Sequence, residues 1–238
     1  MDKRTDNIEI QARCILLDRA SAFTISGSDE VFRIHYPSYG IMMLASEILD
    51  DAGLDRRNLV LNPYAESLRL SSVSRKSVCR VISLYCVSGK AEALGAESER
   101  LSSVFLSSMT VDELAKTLLM CLSLDNIDSI LRYYSLTREN DRYRRAVKVK
   151  MQNSDSVCFG GLTVYGSMFD PVMERYGWTL DYVIWGISYA NLRLIIADMP
   201  RSLLLSKEER RRAGITNEKA VKAETITDIN KLREMFPD

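Results

Sequence analysis

The sequence predicts a mainly α protein: an N-terminal β-hairpin, then a helical bundle, then a C-terminal helical segment. Three observations lead there. Only 5 Pro and 11 Gly interrupt 238 residues, too few turn-formers for a many-stranded β fold. After Pro63, apolar residues recur mostly at three- and four-residue spacing, the period of one helix face. The hairpin pattern lies earlier, in AFTIS and VFRIHY, on either side of a polar turn. With 46% hydrophobic residues the chain can bury a core, so composition does not predict disorder.

The elements follow in order. NIEIQARCILLDRA reads as a short helix. Phe23 and Ile25, then Val31, Phe32 and Ile34, flank a turn containing Gly27, as in a β-hairpin. Pro37 ends the second strand because it has no N–H to give to a ladder. Pro37 and Ser38 suit the opening of a helix through IMMLASEILDDAG, with Gly53 as its stop. Leu70, Val73, Ser77, Val81, Leu84 and Val87 then mark one face of a helix ending near Gly89. A serine-bearing helix follows through EALGAESERLSSVFLSS. TVDELAKTLLMCLSL opens with a capping box, in which Thr110 accepts from the Glu113 N–H and the Glu113 carboxylate reaches back. DNIDSILRYYSLTRENDRYRRAVKVK reads as one charged amphipathic helix with Asp125 as its cap. NSDS and the glycines Gly160 and Gly161 break this pattern, and GGLTVYGS reads as a flexible joint. The polar tail carries a second capping box, Ser206 with Glu209, a stop at Gly214 and a short terminal helix. These breaks divide the chain into 1–60, hairpin plus helix; 61–152, central bundle; and 153–238, aromatic helix and polar tail. The three form separate units or one domain.

Composition excludes several function classes. Lys+Arg and Asp+Glu both number 32, for a formal net charge of zero, so no whole-chain field draws it to nucleic acid or an anionic membrane. The basic runs Arg142 to Arg145 and Arg210 to Arg212 follow the acids Glu139, Asp141, Glu208 and Glu209. Charge pairing on exposed helix faces accounts for them better than phosphate contacts. His35 is the only histidine, so one chain cannot build a histidine metal site or a two-histidine catalytic pair. SGKA at Ser88 to Ala91 lacks the earlier glycine and the following Ser/Thr of a phosphate loop. The five cysteines, Cys14, Cys79, Cys86, Cys121 and Cys158, lack zinc or CxxC spacing and read as small buried hydrophobes. MDKRTDNIEI has no apolar signal region, and unpaired thiols suit a reducing cytoplasm. The expectation is a cytoplasmic non-enzyme with no catalytic residues, cofactor or metal.

The most apolar stretch is YGWTLDYVIWGISYANLRLIIADMP, Tyr176 to Pro200. Asp170 and Pro171 open a short helix that Gly177 stops. Thr179 then caps a second helix running to Pro200, with Trp178 stapled onto Val183. Its uncharged run, Tyr182 to Leu192, is well short of the roughly 20 residues a membrane span needs. At about 100° per residue the helix has two apolar faces. Val183, Ile184, Ile187, Leu194 and Ile195 form an aliphatic face shared with Asn191. Tyr182, Trp185, Tyr189, Leu192, Ile196 and Met199 form an aromatic-rich one. Such a helix is buried in the core or shared between core and partner. Trp178, Tyr182, Trp185, Tyr189, Leu192 and Ile196 are therefore the candidate partner-binding residues, since Trp, Tyr and Met are types enriched in interface cores.

Two stretches carry a family resemblance. FTISGSDEVFRIHYPSYGIMMLASEIL resembles the opening of tail assembly chaperone-like proteins of tailed phages and prophages, a small hairpin followed by a Pro-led helix. YGSMFDPVMERYGWTLDYVIWGISYANLRLIIADMPRS resembles their later region, a helix ending in a Tyr-Gly turn, an aromatic helix and an Arg-bearing tail. The serine-rich middle, Ser67 to Ser108, has no counterpart in that pattern. The resemblance implies a non-enzymatic, mostly helical protein of the host cytoplasm that holds the long tape-measure protein soluble while the tail tube assembles. The expected partner is that protein or another tail protein, and self-association is open. The competing readings are a nucleic-acid-associated regulatory or packaging protein using the two arginine runs, and a structural tail or connector component.

Overall fold

The computed structural model describes residues 3–26, 30–124, 126–152 and 159–215. The chain is mainly α, with one antiparallel hairpin near its N-terminus. It divides into unit 1, Met1–Thr137 with Phe159–Pro200, and unit 2, Arg138–Cys158 with Arg201–Asp238.

In unit 1, α1 (Lys3–Leu16) is followed by Asp18 at a left-handed φ of 47°. The strands β1 (Ser21–Thr24) and β2 (Val31–Ile34) pair with Phe23 opposite Phe32. Phe32 and Ile34 are buried while Val31 and Arg33 face outward, the period-2 alternation of a strand with one covered face. The proposed Gly27 turn lies outside the described residues. Just before it, Ser26 donates its backbone N–H to Glu113 Oε1 at 3.0 Å, and its hydroxyl donates to the same oxygen. The helix α2 (Tyr39–Asp51) opens at Ser38, whose Oγ accepts the Ile41 N–H at 3.4 Å. Gly53, at φ 77°, supplies the left-handed turn after it.

The bundle continues with α3 (Arg56–Leu61), α4 (Pro63–Val73), α5 (Arg75–Tyr85), α6 (Gly89–Ala93), α7 (Ala96–Ser108) and α8 (Val111–Ser123). The central helix is α5: Val78, Cys79 and every residue from Val81 to Tyr85 are buried. It packs against α2, α4, α7 and α8, while α4 also packs on α8. The hairpin lies over α7, with Phe105 ring centroids 6.0 Å from Phe23 and 5.0 Å from Phe32. The Thr110–Glu113 capping box forms as read from sequence.

One buried carboxylate organises the α2–α4 corner. Glu66 has no exposed side-chain surface, and it accepts from Arg69 Nε at 2.9 Å, Asn58 Nδ2 at 2.9 Å and the Asp55 N–H at 2.8 Å. Arg69 also donates to the Gly53 carbonyl at 2.6 Å. The Arg69 hydrogen bonds, aided by the other donors, pull the Glu66 carboxyl down to about 2 against the opposing effect of burial. This is a structural ion pair, too acidic to serve as a proton donor near neutrality.

After α8 come α9 (Asp128–Tyr133) and α10 (Leu136–Gln152), which enters unit 2 at Arg138. Unit 1 resumes with a π-helical turn over Tyr165–Phe169, then α11 (Asp170–Tyr176), a second π turn over Tyr182–Gly186, and α12 (Tyr189–Ala197). Gly177 caps α11 at φ 66°, as its sequence implied. Two smaller clusters complete the unit: Phe169, Val172, Val183, Ile187 and Leu192, and Ile15, Ile127, Ile130 and Ala190.

In unit 2, α13 (Lys207–Arg212) starts with the Ser206–Glu209 capping box and ends before Gly214, at φ 64°. The buried Glu209 also pairs with Lys150 of α10 at 3.5 Å. Arg201 lies over the Tyr143 ring at 5.0 Å and donates to Asn140 Oδ1 at 3.2 Å.

Several expected helices are subdivided. The helix expected to run to Gly89 breaks at Ser74 into α4 and α5, which leaves Val73 exposed instead of on the core face. The serine-bearing helix breaks at Leu94 and Gly95. The single charged helix from residue 125 divides at Ser135, held at φ 59°, into α9 and α10; Asp125 lies outside the described residues. Asp170 is not an N-cap, because the π turn before it already places it in helical conformation. The joint read in GGLTVYGS contains that π turn's first three residues. The proposed terminal helix lies outside the described residues. Among the described residues, no helix is long and apolar enough to cross a membrane.

Candidate partner-binding groove

The aromatic stretch is not one helix. Thr179 caps its first turn, accepting the Tyr182 N–H at 3.2 Å. Five residues later the Ile187 N–H donates to the Tyr182 carbonyl at 3.1 Å, which closes a π turn, a local form often found at functional sites. Ile187 and Ser188 are then extended, with ψ of 140° and 143°. Ser188 bridges to Ser38, the Tyr189 N–H donates to the Pro37 carbonyl at 2.7 Å, and Ser188 Oγ accepts from the Asn191 N–H to start α12. Gly186 allows this route, because a Cβ there would strike the Tyr182 ring. The break turns the helix after Gly186, so the two expected faces do not continue through it.

The six candidate residues separate, three before the break and three after it. Trp185 packs on the bundle core, its ring so close over Gly40 that a Cβ there would lie 2.6 Å from it. Leu192 is 0% exposed and has no surface to offer a partner. Ile196 packs half-buried on the same small cluster, and the Tyr189 ring sits 5.9 Å from that of Tyr39. Trp178 and Tyr182 alone among the six line a groove of about 750 Å³, whose other walls come from α1, α9 and α12.

That groove is built from distant segments. Asn191 of α12 donates Nδ2 to the Ile15 carbonyl at the end of α1, 2.9 Å away. Arg193 of α12 reaches Asp128 of α9 at 3.2 Å. Tyr133 of α9 donates its hydroxyl to Glu9 of α1 at 2.7 Å. Buried Ile15, Ile127, Ile130 and Ala190 form the packed base that these bonds hold together. One wall is aromatic: Trp178 stacks on Tyr176 at 4.9 Å and meets the Tyr182 ring edge-on at 5.2 Å. The rim opens to water, since Leu16, Tyr134 and Tyr182 are 72%, 51% and 44% exposed. Its polar lining groups are Arg13, Asn191 and Asp198.

Nothing in this lining resembles a catalytic constellation. Among the described residues no group of three His, Cys, Asp or Glu side chains could hold a metal. Burial pushes the Cys86 thiol up to about 12 and Cys79 to about 11, so both are inert at neutral pH; Cys79 and Cys121 are buried as expected, whereas Cys14 and Cys86 are half-buried and Cys158 lies outside the described residues. Burial likewise raises the Asp18 carboxyl, opposed by His35 and by a backbone hydrogen bond from Tyr36, but Asp18 is not part of the groove. Glu113 is drawn down to about 2, chiefly by the Ser26 hydroxyl and then by Thr110.

The residues from α1 and α9 escaped the sequence reading. A signal was present in the run Ile15-Leu16-Leu17: a helix end can bury one of three consecutive apolar residues, and here Ile15 is buried while Leu16 and Leu17 are exposed. No protein-family model matches this sequence, and no curated protein or solved structure matches it.

Proposed function

We propose that this chain is a non-enzymatic protein-binding factor that takes an apolar helical segment of its partner into the groove between α1, α9 and α12. The supporting observation is the groove itself: an open trough of about 750 Å³ with an aromatic wall and an exposed apolar rim. Helix-in-groove recognition places residues spaced i, i+3, i+4 and i+7 along such a trough, and Trp and Tyr are the residue types that most often anchor it. The likeness of the hairpin-plus-helix opening and of the Tyr176 to Pro200 region to phage tail assembly chaperones supports a finer reading. The partner is then the tape-measure protein, held soluble in the host cytoplasm while the tail forms.

The test is co-expression with any long coiled-coil protein encoded beside this chain; the absence of such a neighbour counts against the finer reading. The reading requires that protein to become soluble and to co-purify with the wild type, and to be lost from Leu16→Asp and Tyr182→Asp variants that remain folded. A neighbour that is equally soluble alone, or variants that retain it, would overturn the proposal. Rings or polymers of the chain alone, seen by light scattering, would favour the structural-component reading.

A further inference from the structure

The whole chain is neutral, but its charge is unevenly distributed. The described residues of unit 2 contain eleven Lys and Arg against four Asp and Glu. The excess is concentrated on α10, where Arg138, Arg142, Arg144, Arg145, Lys148 and Lys150 outnumber Glu139 and Asp141. Projected at about 100° per residue, these cations are not spread evenly. One side of the helix carries Asn140, Tyr143, Ala146 and Lys150 beside the exposed Glu139; Arg201 meets Asn140 and Tyr143, Glu209 meets Lys150, and Ala146 is buried. The opposite side carries Arg138, Arg142, Arg144, Arg145 and Lys148, with Asp141 as its sole acid.

All of this outer set except Arg142 is exposed. The pairing read from sequence is present: Arg142 meets Glu139 at 3.4 Å among its contacts and is largely covered, while Arg144 meets Asp141 only at 3.8 Å with its side chain 81% exposed. Such surface pairs are worth roughly 0–1 kcal/mol and yield readily to a stronger anion. No ion pair among the described residues engages Arg138, Arg145 or Lys148. The second arginine run has a local explanation: Arg210, Arg211 and Arg212 occupy the last turn of α13, where positive charge complements the helix dipole. The α10 face has no such explanation.

We propose that the outer face of α10 binds the phosphate backbone of nucleic acid without reading its sequence. Four of its five cations are arginines, whose planar fork can grip a phosphate with two parallel hydrogen bonds. From Arg138 to Lys148 the face is about 15 Å long at 1.5 Å per residue. A duplex presents one negative charge per roughly 1.7 Å of axis, so it can saturate a face of that length. This activity is separate from the groove, which lies in unit 1 and has a predominantly apolar lining.

Fluorescence anisotropy of the full chain with a 20-base-pair duplex of arbitrary sequence, between 50 and 200 mM salt, tests this. Four to five phosphate contacts predict a slope of about −4 in log K against log salt, a roughly 250-fold loss across that range. Arg138→Ser, Arg144→Ser, Arg145→Ser and Lys148→Ser combined should abolish binding at 50 mM while circular dichroism stays unchanged. Asp141→Asn, which removes the acid on that face, should tighten binding by about two- to threefold. The proposal is overturned by no binding at 50 mM salt, by a quadruple variant that binds like the wild type, or by tighter binding to polyglutamate than to the duplex.

Discussion

Trp178 and Trp185 stand seven residues apart in one aromatic stretch but belong to different surroundings. Trp185 closes the bundle: its ring fills the space over Gly40 and packs on the core centred on α5. Trp178 stands in a wall of three aromatic rings beside a groove with an exposed rim. Trp178 lies just before the Thr179 cap and Trp185 within the π turn, so the two rings leave the chain at different points and meet different neighbours. Apolar residues of the same type therefore do different work according to what faces them. Truncation should cost stability at Trp185 and binding at the groove.

That contrast can be broken in order of effect. Trp185→Ala should cost about 2–3 kcal/mol, read as a lower urea midpoint, because the half-buried ring loses its packing on the core and over Gly40. A loss below about 1 kcal/mol would remove Trp185 from the core. Next is acid. Glu66 has a folded value of about 2 against an ordinary 4.5, so its contribution is complete above pH 4.5 and is lost as pH falls toward 2. Because its partner Arg69 is 40% exposed, solvent screening holds that contribution to about 1–2 kcal/mol. Glu66→Gln should therefore lower the melting temperature at pH 7 and flatten its fall between pH 4.5 and 2. An unchanged acid limb would show that the charge contributes nothing.

Gly40→Ala should cost about 1–3 kcal/mol by overpacking against the Trp185 ring. In a Trp185→Ala background that cost should vanish, so the double-mutant cycle isolates the contact. Ser188→Ala should cost about 1 kcal/mol, as expected for a lost N-cap. At the small end, Leu16→Asp at the groove rim should change stability by no more than about 0.5 kcal/mol while eliminating partner capture. If it unfolds the chain instead, the groove rim is part of the core and the contrast fails.

These sites also show what the sequence made legible. The hairpin was readable because Phe23, Phe32 and Ile34 keep a period of two, and both capping boxes were readable because Ser/Thr and Glu stand three residues apart. The helix divisions at Ser74 and Ser135 were not, because a serine is a weak breaker and apolar spacing carries across one irregular residue. Gly186 and Ser188 were visible as a breaker followed by a capping residue, but the apolar content around them favoured a continuous helix. The groove depends on contacts such as Asn191 with Ile15, 176 residues apart, which no local pattern encodes. The basic runs were read as paired charges, and only the fold reveals which side of α10 turns outward.

The bond from the Tyr189 N–H to the Pro37 carbonyl has a consequence for synthesis. The chain is made from its N-terminus, so α2 to α8 can pack while later residues are still inside the ribosome. The groove needs α1 from the start of the chain and α12 from beyond residue 188, and closing so long a loop comes late. A nascent chain therefore carries the α2 to α8 bundle before Trp185 has closed it, and no groove, so the proposed capture of a partner begins only after translation has passed Asp198.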